Sequence, residues 1–106
     1  MVTILLFHHV QGLTPGLIEF ADALRAHGHE VHTPDFFDGQ TFSSIEEGFA
    51  YAQSGAFDSD ARANAAVADL PADIVYAGFS YGVMSAQRLA QTRPGARGAL
   101  LFEACV

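Results

Sequence analysis

Five consecutive residues, Gly78-Phe79-Ser80-Tyr81-Gly82, carry the G-x-S-x-G pattern in which a serine between two glycines can act as a nucleophile. The residue types are dictated by sterics. In a nucleophile elbow a strand turns sharply into a helix and holds one residue in a strained conformation, its side chain exposed above the sheet. A Cβ on either flanking residue would collide with the neighbouring strand or helix, which is why both are glycine. The helix N-terminus lies beneath the serine, and the Tyr81 N–H can donate to the oxyanion that develops during acyl transfer. A tight turn whose serine merely caps the helix is the bland alternative, but capping does not require two glycines. A serine is a poor nucleophile until a base takes its proton, so a histidine must also reach Ser80.

The elements that would position this motif alternate between strand and helix. Val2 to Phe7 is a continuous apolar run, as in a strand covered on both faces. Thr14-Pro15-Gly16 opens a helix, with Thr14 as cap and Pro15 at a position whose N–H has no partner. Leu17, Phe20, Ala21 and Leu24 share one face of it, and Gly28 is placed to end it. Residues 30–34 read as a second short strand. Ser43-Ser44-Ile45-Glu46 has capping-box spacing and predicts a short helix. Asp58 or Ser59 can cap another helix running to Leu70. The elbow is entered by a third strand over residues 73–77 and left by a helix from Tyr81 to Gln91. A fourth strand covers residues 97–104. This rhythm implies right-handed crossovers, a parallel sheet and one domain over residues 1–106.

Composition narrows the class. Of 106 residues, 50% are hydrophobic and 16% charged, which excludes a disordered chain. The net charge is -7, and the five basic residues are scattered arginines, so nucleic acid and acidic membrane surfaces are not expected partners. A single cysteine, Cys105, cannot form an internal disulfide and reads as a small buried hydrophobe. Residues 1–10 have no Lys or Arg, and their apolar run is too short for a signal peptide or a membrane span. A cytoplasmic protein is therefore the expectation.

With these motifs placed, the chain resembles the dienelactone hydrolase family of α/β-hydrolases over nearly its whole length. The resemblance rests on the first strand and its loop, His8-His9-Val10-Gln11-Gly12, on Pro34-Asp35-Phe36-Phe37-Asp38-Gly39, and above all on the elbow. It implies the α/β-hydrolase fold, a parallel sheet with helices on both faces, and hydrolysis of small carboxylic esters or lactones by a Ser, Asp and His triad. It also implies that a second oxyanion donor comes from the loop after the first strand, which maps onto the N–H of Val10. Two positions depart from the family's best-known members. Those carry cysteine at the elbow where this chain has Ser80, and glutamate at the loop position matched by His9. Both bear on dienelactone itself as substrate and leave hydrolysis as the class.

The triad order in such enzymes is serine, acid, histidine. Here only Glu103 among acids follows Ser80, and none of the five histidines does. His27, His29 and His32 surround the second strand, away from the elbow, and read as surface or packing residues. His9 is expected to line the oxyanion side of the pocket, or else to be a hydrogen-bonded loop residue. Adjacent side chains on a strand point to opposite faces, so a metal shared by His8 and His9 is not expected. Without a G-x-G-x-x-G or P-loop, no nucleotide cofactor is expected either. Asp35 and Asp38 bracket Phe36-Phe37 as in a turn closed by Asx hydrogen bonds. Phe36 and Phe37, with Phe42, are candidates for an apolar pocket wall, though core packing suits at least two of them.

The reading is thus a hydrolase of small esters or lactones acting through an acyl-enzyme on Ser80, with Val10 and Tyr81 as oxyanion donors and no cofactor. The alternative is a hydrolase-fold module that binds without turnover. The fourth strand is apolar and contains no Lys or Pro to guard it as an edge. A further segment, from the same polypeptide or a second chain, is therefore expected to complete the sheet beside it and to bring an acid and then a histidine to Ser80.

Overall fold

A computed structural model describes residues 2–55 and 57–102; Glu103 and Cys105 lie outside the described residues. The elements run in the order β1 (Thr3–Phe7), α1 (Pro15–Ala26), β2 (Glu30–His32), α2 (Ile45–Ala52), α3 (Ser59–Val67), β3 (Val75–Phe79), α4 (Gly82–Thr92) and β4 (Gly98–Phe102). Every strand pairing is parallel, and the sheet order is β2-β1-β3-β4. The expected α/β class with helices on both faces of a parallel sheet is what the chain forms.

The apolar run of β1 is explained by its central place. Leu5 and Phe7 enter one core layer with Ile74, Tyr76, Ala63 and Val67 of α3, and Ala86 and Leu89 of α4. Ile4 and Leu6 enter the opposite layer with Leu17 and Ala21 of α1. Successive residues of a strand face opposite sides, so both sets must be apolar when both faces are covered. Thr14 caps α1 by accepting from the Leu17 N–H, and Gly28, at φ +90°, reverses the chain after it.

Element boundaries differ from the sequence reading where local hydrogen bonds intervene. The α2 cap is Ser44, which accepts from Glu47 N–H at 3.1 Å, so the capping box sits one residue later than Ser43 and Glu46. Asp58 rather than Ser59 caps α3, accepting from Ala61 N–H at 3.2 Å, and the helix stops at Val67. β2 ends before Thr33-Pro34, because proline has no N–H for the ladder and Asp35 starts a turn. β3 begins two residues later than expected and extends through Phe79, since β4 pairs with it as far as Phe79 opposite Phe102. β4 forms the sheet edge, with Leu100 and Leu101 about half exposed on its two faces.

Candidate functional site

The C-terminal ends of the parallel strands β1 and β3 lie side by side, with Phe7 paired to Gly78. The last residue of β3 is Phe79, and α4 begins at Gly82, so Ser80 and Tyr81 alone make the turn. Ser80 has φ +51°, in the left-handed region. For a residue with a Cβ this conformation is sparsely populated and persists only where surrounding structure enforces it.

Two hydrogen bonds and the two flanking glycines enforce it. The Ser80 N–H donates to Phe102 O at 2.6 Å, continuing the β3–β4 ladder into the turn. The Ser80 carbonyl accepts from Val83 N–H at 3.0 Å, tying the turn to the first coil of α4. The glycines allow the approach. A Cβ on Gly82 would lie 2.6 Å from Phe7 O and 2.7 Å from His8 O, and one on Gly78 would strike the Gly82 carbonyl and come within 2.8 Å of Val83 N. The two glycines therefore let α4 start against the ends of β1 and β3, as the motif's sterics require.

The start of α4 has no side-chain cap, because Tyr81 occupies the cap position in helical conformation. The Ser80 N–H is engaged with β4, while the Tyr81 N–H donates to no partner among the described residues. Helix-end N–H groups carry partial positive charge and suit an anion. The Tyr81 side chain is tethered: its hydroxyl makes a close hydrogen bond with the Ser59 hydroxyl on α3, and its ring lies 6.2 Å from that of Phe37. In the sequence Ser59 was readable only as a possible helix cap; its link to the elbow arises from how α3 packs beside α4.

The loop after β1 forms a compact turn. Gly12 N–H donates to His9 O at 3.0 Å, and Gln11 N–H donates to His9 Nδ1 at 3.2 Å. Val10 is buried, and its carbonyl is pressed so tightly by Gly48 of α2 that a Cβ there would overlap it. Among the described residues the Val10 N–H, like that of Tyr81, donates to no protein acceptor.

His9, Phe36 and Phe37, the candidates for the pocket wall, are all buried. Phe36 and Phe37 belong to the core layer beside Phe7, and Phe37 is the hub of an aromatic cluster with Phe42, Tyr51, Phe57 and Tyr81. A cavity of about 400 Å³ opens at the β2 edge, lined by Arg25, Val31, His32, Thr33 and Pro34 among others, and none of the elbow residues borders it.

The acidic pair separates into two jobs. Asp35 closes a turn, accepting from Phe37 N–H at 2.8 Å and Gly39 N–H at 2.9 Å. Asp38 pairs through both oxygens with Arg62, whose hydrogen bonds hold its carboxyl below the usual carboxylate range. Among the described residues no histidine hydrogen-bonds the Ser80 hydroxyl. His8 is engaged with backbone, His27 Nδ1–H donates to Ala23 O, His29 accepts from Val2 N–H, and His32 pairs with Glu30. No family model matches this chain, and comparison with curated proteins gives no match.

Proposed function

We propose that this protein is a serine hydrolase of the α/β-hydrolase fold, related to the dienelactone hydrolases, that cleaves small carboxylic esters or lactones through an acyl-enzyme on Ser80. The observation that carries the reading is the left-handed backbone of Ser80 between two glycines that cannot hold a Cβ. A serine serving only as a helix cap has no need of that conformation, and strain of this kind is kept where a side chain must be presented.

In the proposed reaction Ser80 Oγ attacks the substrate carbonyl carbon while a general base takes its proton. The carbonyl oxygen becomes an oxyanion held by the N–H groups of Val10 and Tyr81, neither of which donates elsewhere among the described residues. Collapse breaks the C–O bond, and the base returns its proton to the leaving alkoxide, which in a lactone stays attached to the acyl chain. Water then repeats the sequence on the acyl-enzyme and frees Ser80.

A second reading, a hydrolase-fold module that binds without turnover, is favoured by the absence of a hydrogen bond between Ser80 and any described histidine. One experiment separates the two. Treating the full-length protein with a fluorophosphonate is expected to give a single adduct at Ser80, located by peptide mass spectrometry and lost in Ser80→Ala. Reaction no faster than that of free serine would overturn catalysis and leave the binding module.

A further inference from the structure

His8 is a buried ionisable group that the proposed mechanism does not use. It sits at the end of β1, 2% exposed, with its carbonyl against the place a Gly82 Cβ would fill. Its ring makes two hydrogen bonds to backbone. Nδ1 lies 2.7 Å from His9 O, and Nε2 lies 2.9 Å from Phe36 N. A carbonyl can only accept and an N–H can only donate, so the ring must be neutral, with its proton on Nδ1 and a bare Nε2. In that form His8 bonds the loop that carries Val10 to the turn that starts at Asp35.

We propose that His8 is a positioning residue whose neutral Nδ1–H tautomer locks the Val10-bearing loop against the Asp35–Gly39 turn, and that a second proton on the ring releases the loop. The role in catalysis rests on the reading of Ser80 as nucleophile; the lock itself does not. A proton on Nε2 would face the Phe36 N–H, donor against donor. The carboxylate within ion-pair range is Asp35, its Oδ1 3.9 Å from Nε2, but that oxygen already accepts from Phe37 N–H, and its partner oxygen from Gly39 N–H. Pairing with charged His8 would therefore pull Asp35 out of its own turn.

Among the described residues the other surroundings offer no alternative counter-charge. His9 is the adjacent ionisable group, and its Nδ1 already accepts from Gln11 N–H. The Arg62–Asp38 pair holds the Phe36 carbonyl from the far side. The first turn of α4 has no acidic residue, and Glu46 and Glu47 of α2 are exposed. The rings of Phe36 and Phe37 pack edge-on against the imidazole, with centroids 5.6 and 4.8 Å away.

Burial lowers the His8 pKa below the ordinary 6.5, outweighing the His9 carbonyl and Asp35, which raise it. The sign follows. The unfolded chain takes up this proton at higher pH than the folded one, so stability falls as pH drops through the ordinary histidine range, and the folded loop releases only below it.

Two measurements on the full-length protein test this. Long-range ¹H–¹⁵N spectra should show His8 as the Nδ1–H tautomer at neutral pH and still predominantly neutral at the ordinary histidine value of 6.5. In parallel, fluorophosphonate labelling and thermal unfolding are followed from about pH 7.5 to pH 5 in wild type, His8→Leu and His8→Gln. Gln can accept from Phe36 N–H but cannot titrate. A loop misplaced by about an ångström is expected to lower labelling of His8→Leu by roughly a hundredfold at the top of that pH range, with His8→Gln recovering most of it and losing the acid decline in thermal unfolding that His8 causes. An Nε2–H tautomer, an ordinary titration, or a wild-type acid decline in the thermal unfolding of His8→Gln would overturn the lock. If nothing labels while the spectra and melts behave as expected, the lock stands and the nucleophile reading falls.

Discussion

The turns after β1 and β3 leave the same end of the sheet and touch each other, yet they use their polar atoms in opposite ways. After β1, the ring nitrogens of His8, Nδ1 and the carbonyl of His9 and the N–H groups of Gln11 and Gly12 all bond within the loop or to the Asp35 turn. After β3, the Ser80 hydroxyl and the Tyr81 N–H stand without protein partners among the described residues, and the backbone of Ser80 is strained. The first turn is a support that leaves only the Val10 N–H without a protein acceptor among these donors, and the second is a presentation. A left-handed residue with a Cβ costs about 1–2 kcal/mol. That cost is tolerated here because the ladder bond to Phe102 and the close fit of Gly82 on Phe7 leave the chain no other path.

The contrast can be tested at decreasing magnitude. The largest effect is expected from Ser80→Ala, which removes the presented group: labelling and esterase turnover should fall by roughly a millionfold, to background, with the fold intact by circular dichroism. A variant that kept its esterase rate would mean that the presenting turn presents nothing. Next comes Val10→Pro, which deletes one N–H from the supporting turn. It should cost turnover on the order of a hundredfold or more, whereas Val10→Ala keeps most activity. Equal rates in the two variants would restrict the oxyanion site to the elbow.

Gly82→Ala tests how the two turns are held together. Its methyl would meet backbone oxygens of Phe7 and His8, which cannot move without disturbing β1. Urea titration should show a loss of about 1–3 kcal/mol, at the upper end of that range. The smallest effect has the opposite sign. Ser80→Gly relieves the left-handed strain at φ +51° and should raise stability by roughly 1 kcal/mol while abolishing labelling. No gain in the melting temperature would mean that the elbow is unstrained and that its conformation says little about function.

The elbow was readable because its constraints are local in sequence: five residues carry the strand end, the turn and the helix start, and the two glycines report steric collisions that any such turn must avoid. The alternation of strands and helices, the Thr14 cap and the Asp35 turn were readable for the same reason, since hydrophobic periodicity and side-chain caps act over a few residues. The capping box was legible in kind and missed by one residue, because Ser43 and Ser44 are both competent caps and only the docking of Gly48 on the Val10 carbonyl sets the helix register.

The amino-acid order by itself determined which residue the sharp turn would present, and that the sheet would be parallel and covered on both faces. Tertiary structure decided what surrounds that residue. The Phe36 N–H that fixes the tautomer of His8 lies 28 positions away, and the Ser59 hydroxyl that tethers Tyr81 lies 22 away. Phe36 and Phe37 pack into the core because the Asp35 turn folds them under β1, against Phe7 and the ring of His8. Hydrogen bonds and packing across such separations depend on how the βαβ units stack, and no spacing within a single segment encodes that.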